Sequence, residues 1–251
     1  MLAVISPAKT LDYARPLPAL TPTEPVFAED AAALAAAAAK LSGKKLAALM
    51  RISDTLAKLN VERFRTFPDQ PARPAIYAFA GDVYTGFEVR SLDEEAVLYA
   101  QDHLRILSGL YGLLRPLDAI RPYRLEMGTR WAPRKVNLYA YWDTRIAARL
   151  ADDLAESGEA TIINVASKEY WGAVADHLPA EARVIEIDFR EEGPSGLRFN
   201  TFAAKRARGM MARYICEHRI DQAEGVKGFD SDGYAFDPAN SDETRWRFTR
   251  A

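Results

Sequence analysis

The stretch Leu107-Ser-Gly-Leu-Tyr-Gly-Leu-Leu-Arg-Pro116 sets two glycines three positions apart, between an apolar run and a basic one. Upstream, Ser91 and Glu94 have the spacing of a capping box, which predicts a helix from there to about Ser108. Downstream, Leu113 to Ile120 reads as a second helix with Pro116 in its first turn, where a missing N–H costs little. Gly109, Leu110, Tyr111 and Gly112 then form a hairpin between two helices. Free N–H groups and the positive end of the second helix favour a phosphate there. Glycine at both corners lets a ligand approach the backbone. This is the logic of a helix-hairpin-helix element at about residues 93–120, which holds a nucleic-acid backbone without reading its bases. A plain surface corner is the competing reading of the same residues.

Charge supplies context for that choice. The chain of 251 residues has a net charge of only −2, which excludes a bulk polycation. The balance is uneven, however. Arg105 to Lys135 holds seven basic residues, Arg115, Arg121 and Arg124 among them, against two acidic ones. Ala203 to Arg219 holds five, including Lys205, Arg206 and Arg208, against one. On a helix these five fall within about 160° of arc. Gly209, Ala212 and Cys216 lie along the middle of that arc, where a rod-like polyanion would have room to approach. An ordinary solvated face is the alternative.

Around these segments, strands and helices are intermingled. Strands are predicted at Met1–Ile5, Ala75–Phe79, Thr161–Val165, Val184–Phe189, Leu197–Phe202 and Arg245–Thr249. Helices are predicted at about Val26–Leu41, Lys45–Phe64 (with Ser53 as an internal cap), Trp142–Glu156, Lys168–His177 and Ala204–His218. Ala14–Pro25 reads as a surface connection. No repeat or linker divides the chain, so the expectation is one mixed α/β domain, a central sheet surrounded by helices. Parallel pairing is expected around Thr161–Phe189.

Candidate chemistry is sparse. Ser6-Pro-Ala-Lys-Thr10 and Gly81-Asp-Val-Tyr-Thr-Gly86 each follow a strand-like run and offer Lys9, Asp82 and Tyr84. Asn164 to Tyr170 is a strand-to-helix junction offering Lys168 and Glu169, with Ser167 as the expected N-cap. Together these five residues are the candidates for acid, base and electrostatic roles. The glycines of a nucleotide-triphosphate loop are missing, and apart from the lone Cys216/His218 pair, His103, His177 and His218 have no His or Cys partners at metal-ligand spacing. No cofactor is indicated. Cys216 is flanked by Arg213 and Arg219, but no second cysteine is present to resolve a sulfenate, so an inert thiol is expected. One cysteine fits a reducing compartment, and no apolar run is long enough for a signal peptide or a bilayer span. The expectation is a cytoplasmic protein without a membrane partner. No protein partner can be inferred.

Taken together, Ser6-Pro-Ala-Lys-Thr-Leu-Asp-Tyr13, Met50-Arg-Ile-Ser-Asp54, Gly81-Asp-Val-Tyr-Thr-Gly86, Leu107-Ser-Gly-Leu-Tyr-Gly112 and Pro122-Tyr-Arg-Leu-Glu-Met-Gly128 resemble the bacterial peroxide stress protein YaaA family. Leu114-Arg-Pro-Leu-Asp118, Lys205-Arg-Ala-Arg-Gly-Met-Met211 and Gly228-Phe-Asp-Ser-Asp-Gly-Tyr234 extend the similarity along essentially the whole chain. The resemblance implies a cytoplasmic protein of the hydrogen peroxide response that lowers free iron and limits oxidative DNA damage. It also implies a family-specific mixed fold, with a helix-hairpin-helix in a basic cleft that binds duplex or distorted DNA. One departure is plain: two residues separate the glycines, where that element usually has one. An enzyme acting on nucleic acid or a nucleobase through Lys9, Asp82 and Lys168 is the alternative, and direct sequestration of iron is a third reading.

Overall fold

The apolar N-terminal run forms β1 (Leu2–Ile5), buried along its whole length. The computed structural model describes residues 1–194 and 196–251. Short ribbons brace the loops beyond β1: β2 (Thr10–Leu11) pairs with β4 (Phe79–Ala80), and β3 (Arg73–Pro74) with β7 (Ala119–Ile120). Between them lie α1 (Ala28–Ala38), α2 (Gly43–Met50) and α3 (Asp54–Arg65). Ser53 caps α3 as expected, its hydroxyl accepting the Leu56 N–H. Ala75–Phe79 is not the expected strand. Ala75–Ala78 is one buried turn, α4, whose first N–H groups donate to the carbonyls of Asp118 and Pro116. Those local carbonyls satisfy the backbone in place of a sheet neighbour.

Next come α5 (Asp82–Phe87) and α6 (Glu94–His103). Asp93, rather than Ser91, caps α6 by accepting the Ala96 N–H. Leaving α6, the chain enters β5 (Leu104–Ser108), parallel to β1, and returns as antiparallel β6 (Gly112–Leu114). The opening stretch is therefore a β-hairpin, and residues 93–120 do not form a helix-hairpin-helix. An apolar run buried on both faces carries no period that separates strand from helix, and here the sheet decides. Gly112 takes φ +66°, as the turn requires. The whole turn is buried. Tyr111 N–H donates to Ser108 Oγ at 2.9 Å, and the Gly109 carbonyl accepts the Trp142 indole N–H at 3.1 Å.

The predicted Trp142–Glu156 helix is α8 (Arg145–Ser157), and a short helix outside the prediction, α7 (Leu138–Trp142), precedes it, the two separated where Asp143 adopts positive φ. β8 (Thr161–Asn164), α9 (Lys168–Trp171) and β9 (Arg183–Glu191) form the expected parallel unit, with a separate single turn at Ala175–His177. Among the described residues, Leu197–Phe202 makes one bridge, between Arg198 and Glu191, before α10 (Thr201–Glu217) starts under an Asn200 cap. β10 (Ala235–Phe236) and β11 (Arg245–Arg250) finish the chain. The main sheet runs β10-β11-β9-β8-β1-β5-β6. Its five inner strands are parallel and both edge strands antiparallel, so the mixed α/β expectation holds.

Helix α10 packs on β1, β9 and above all α5. A Cβ on Gly209 would lie 1.8 Å from the Val83 carbonyl oxygen, and one on Gly86 2.1 Å from that of Arg206. The two helices touch backbone to backbone. Gly209, Ala212 and Cys216 are all buried, Gly209 against α5, which corrects the reading of them as a path for a polyanion. The small residues admit a helix of the same chain. Overpacking at such a point costs about 1–3 kcal/mol or more. Gly209→Ala should therefore lower the urea midpoint by at least that stability loss, and an unchanged midpoint would contradict the contact.

Candidate functional site

Strands β1 and β8 lie side by side and parallel, but their connections leave in opposite directions: β1 leads to β5 on one flank and β8 to β9 on the other. This is a topological switch point, where the diverging loops open a crevice at the carboxyl ends of the strands. Ser6 follows β1, and its hydroxyl accepts the Ser167 N–H at 2.8 Å, tying the two loops together. Its carbonyl accepts the Tyr84 hydroxyl at 3.1 Å. Burial pushes that phenol well above its ordinary pKa, so Tyr84 is neutral; it braces Ser6 from behind and lines a separate pocket with Tyr77 and Phe79. Ser167 does not cap α9 with its side chain, against expectation.

Above the Ser6–Ser167 bond lies a chamber of about 400 Å³ lined by Lys9, Asp82, Glu169, Lys205 and Arg208 among others. Lys9 and Asp82 thus share a space. Lys9 pairs with neither Asp82 nor a nearer acid but with Glu126 at 3.5 Å, and Arg124 Nε donates to the same Glu126 oxygen at 2.8 Å. Glu169 accepts the Gly128 N–H at 2.9 Å. A second chamber of about 640 Å³ adjoins it and shares Ser167, Lys205 and Arg208. Lys168 lines this second chamber, so the three candidates Lys9, Asp82 and Lys168 are divided between neighbouring halves of one cleft.

The electrostatics separate held cations from free ones. Arg115 donates from Nε to the Gln101 carbonyl at 3.0 Å and pairs with Asp102 at 2.6 Å. Arg121 lies over Phe67 beside Tyr111, in a different pocket. Arg124 is occupied by Glu126. Of the arginines behind the hairpin, only Arg124 approaches the cleft, and it does so through Glu126 and Lys9. By contrast, Lys168, Lys205, Arg206 and Arg208 have no acidic partner within ion-pair distance among the described residues; the same holds for Arg121, whose Nε is also buried without a hydrogen-bond partner, but in its own pocket away from the cleft. Arg206 is exposed and lies outside both chambers. Arg208 is the best-placed of the four. Its Nε is buried without a hydrogen-bond partner, and burial lowers the guanidinium from its ordinary value, opposed by Asp188. A desolvated cation of this kind gains most from an arriving anion.

Sequence reasoning named Lys9, Asp82, Lys168, Glu169, Lys205 and Arg208, which line the two chambers, and Tyr84, which does not. It missed Ser6 as the stitch, Glu126 as the acid behind Lys9, and the second chamber, with Asn164, Trp171 and Phe199. Strand-end position was the available signal for Asn164. Cys216 is fully buried in α10, and burial drives its thiol far above the ordinary range, as expected of an inert cysteine. The native protein should resist a thiol-specific aromatic disulfide and react stoichiometrically once unfolded in guanidinium. Rapid reaction in the native state would contradict this burial.

The family model described as peroxide stress protein YaaA matches residues 1–240. A UPF0246 protein of Rhizorhabdus wittichii is 63% identical over 251 residues, covering 100% of this chain and 99% of that one. UPF0246 proteins of Caulobacter vibrioides and Idiomarina loihiensis are 49% and 47% identical, again over 100% of this chain and 99% of theirs. With motifs, family model and full-length relatives in agreement, the chain belongs to the peroxide stress protein YaaA family.

Proposed function

We propose that the protein serves the peroxide stress response by gripping DNA through its phosphates in the cleft at the β1–β8 switch point, in the cytoplasm. The observation that carries this reading is the convergence of Lys168, Lys205 and Arg208 on one cleft without acidic partners among the described residues, with Arg206 beside them. Phosphate contacts of this kind position a polynucleotide without reading its sequence. The grip is thus moved from the buried hairpin to α10. Protection against oxidative damage would follow from occupancy of the DNA. Limitation of free iron is read as indirect, since no group of three His, Cys, Asp or Glu side chains among the described residues is placed to hold a metal.

A second reading keeps the enzyme. Asp82 shares the smaller chamber with Lys9 and makes no ion pair among the described residues, so a carboxylate and an amine face one space. Turnover of a nucleobase substrate that disappears in Asp82→Ala would favour it.

Fluorescence anisotropy of duplex and bulged DNA across a salt series tests the leading reading. Affinity is expected to fall steeply with salt, and Lys205→Ala or Arg208→Ala to reduce the logarithmic slope by about 1 each. Arg115→Ala should leave the slope unchanged, because Asp102 and the Gln101 carbonyl already hold that side chain. Binding that ignores salt, or that depends on Arg115 alone, would overturn it.

A further inference from the structure

We propose that the larger chamber receives an unpaired nucleobase of the bound strand, stacked against Trp171 and Phe199, with its neighbouring phosphate on Lys205 and Arg208. This rests on the nucleic-acid reading above and specifies what that site recognises. The chamber is of ligand size, about 640 Å³, and opens onto the two cations that it shares with the switch-point chamber.

Its walls have the composition of a stacking site. Trp171 lines one part, only 8% exposed, while Phe199 is 48% exposed. The Arg190 guanidinium lies 5.4 Å from the Phe199 ring centre, completing a cationic and aromatic pair. Leu197 and Phe202, at 42% and 65% exposure, lie on the same segment as Phe199, which runs into the start of α10. Three large apolar side chains exposed within six residues, beside free cations, form a surface suited to base faces.

Polar groups meet the edge of such a base. Strand β9 runs on past Glu186, the partner of the last β8 residue, Asn164, and so walls the space beyond β8. Asn164 Oδ1 accepts the Ala166 N–H at 3.0 Å, which leaves its amide nitrogen to face the chamber it lines. Asp188 is held by Arg190 and Arg247, and Glu186 by Arg245, so the two acids lining the chamber are neutralised. Five basic side chains against two acidic ones leave the chamber attractive to a nucleotide.

The geometry predicts that unstacked bases are preferred to a perfect duplex. Stacking on an aromatic side chain is worth about 1–3 kcal/mol per base, which corresponds to roughly 5- to 150-fold in affinity. The experiment compares a duplex, the same duplex with one bulged 2-aminopurine, and an abasic bulge, for wild type and Phe199→Ala. Phe199 is half exposed, so this variant is expected to fold, and thermal unfolding checks it. Wild type should bind the bulged base about tenfold tighter than duplex or abasic bulge and quench its fluorescence. Phe199→Ala should lose both effects while keeping duplex affinity and salt slope. Equal affinity for all three oligonucleotides would overturn the base pocket and leave the phosphate grip standing. Absence of salt-dependent binding to any of them would overturn both. Competition by a free mononucleotide at similar concentration would overturn it in favour of a small-molecule site.

Discussion

Everything that faces the cleft depends on how closely α10 lies against α5. Gly209 and Gly86 let the two backbones touch, with no room for a Cβ on either side. A thicker residue would lift α10 from its seat on β1 and β9 and carry Lys205 and Arg208 away from the loops that follow β1 and β8. One steric constraint therefore sets both the packing and the electrostatics. The buried side of α10 supplies the core, and its first turns supply the cations.

The switch point supplies the other half of the arrangement. Parallel strands whose connections diverge must leave a gap at their carboxyl ends, and Ser6 closes the base of that gap by accepting the Ser167 N–H. Into the space above come side chains from separate parts of the chain: Lys9 after β1, Asp82 at the start of α5, Lys168 and Glu169 in α9, and Lys205 and Arg208 on α10. The paired arginines elsewhere, Arg105 with Asp153 and Arg115 with Asp102, belong to the framework. Local charge density along the sequence does not distinguish the two kinds, because pairing is decided in three dimensions.

That difference explains which parts were legible in the residues alone. Short apolar runs, such as Leu2–Ile5 closed by Ser6-Pro7 and the β-branched Thr161–Asn164, announced buried strands, and Ser53 announced a cap that the fold uses. The family motifs pointed to the same loops that line the cleft. Leu104 to Leu114 was misread because a doubly buried strand and a buried helix share the same apolar character, and only β1 beside it settles the matter. Gly209, Ala212 and Cys216 were misread for a related reason. A stripe of small residues marks close approach without naming what approaches, and at Gly209 the occupant is α5. Trp171 and Phe199 gave no signal in sequence, since nothing local shows that a nonadjacent aromatic pair borders one cavity.

Hydrogen exchange with and without a bound DNA oligonucleotide tests most directly whether the cleft, and not the hairpin, is where DNA is held. The account predicts new protection at residues 6–10, 165–171 and 197–208, with exchange in residues 104–114 slow and unchanged by DNA. Protection confined to the hairpin, or to the face carrying Phe67 and Arg121, would contradict it.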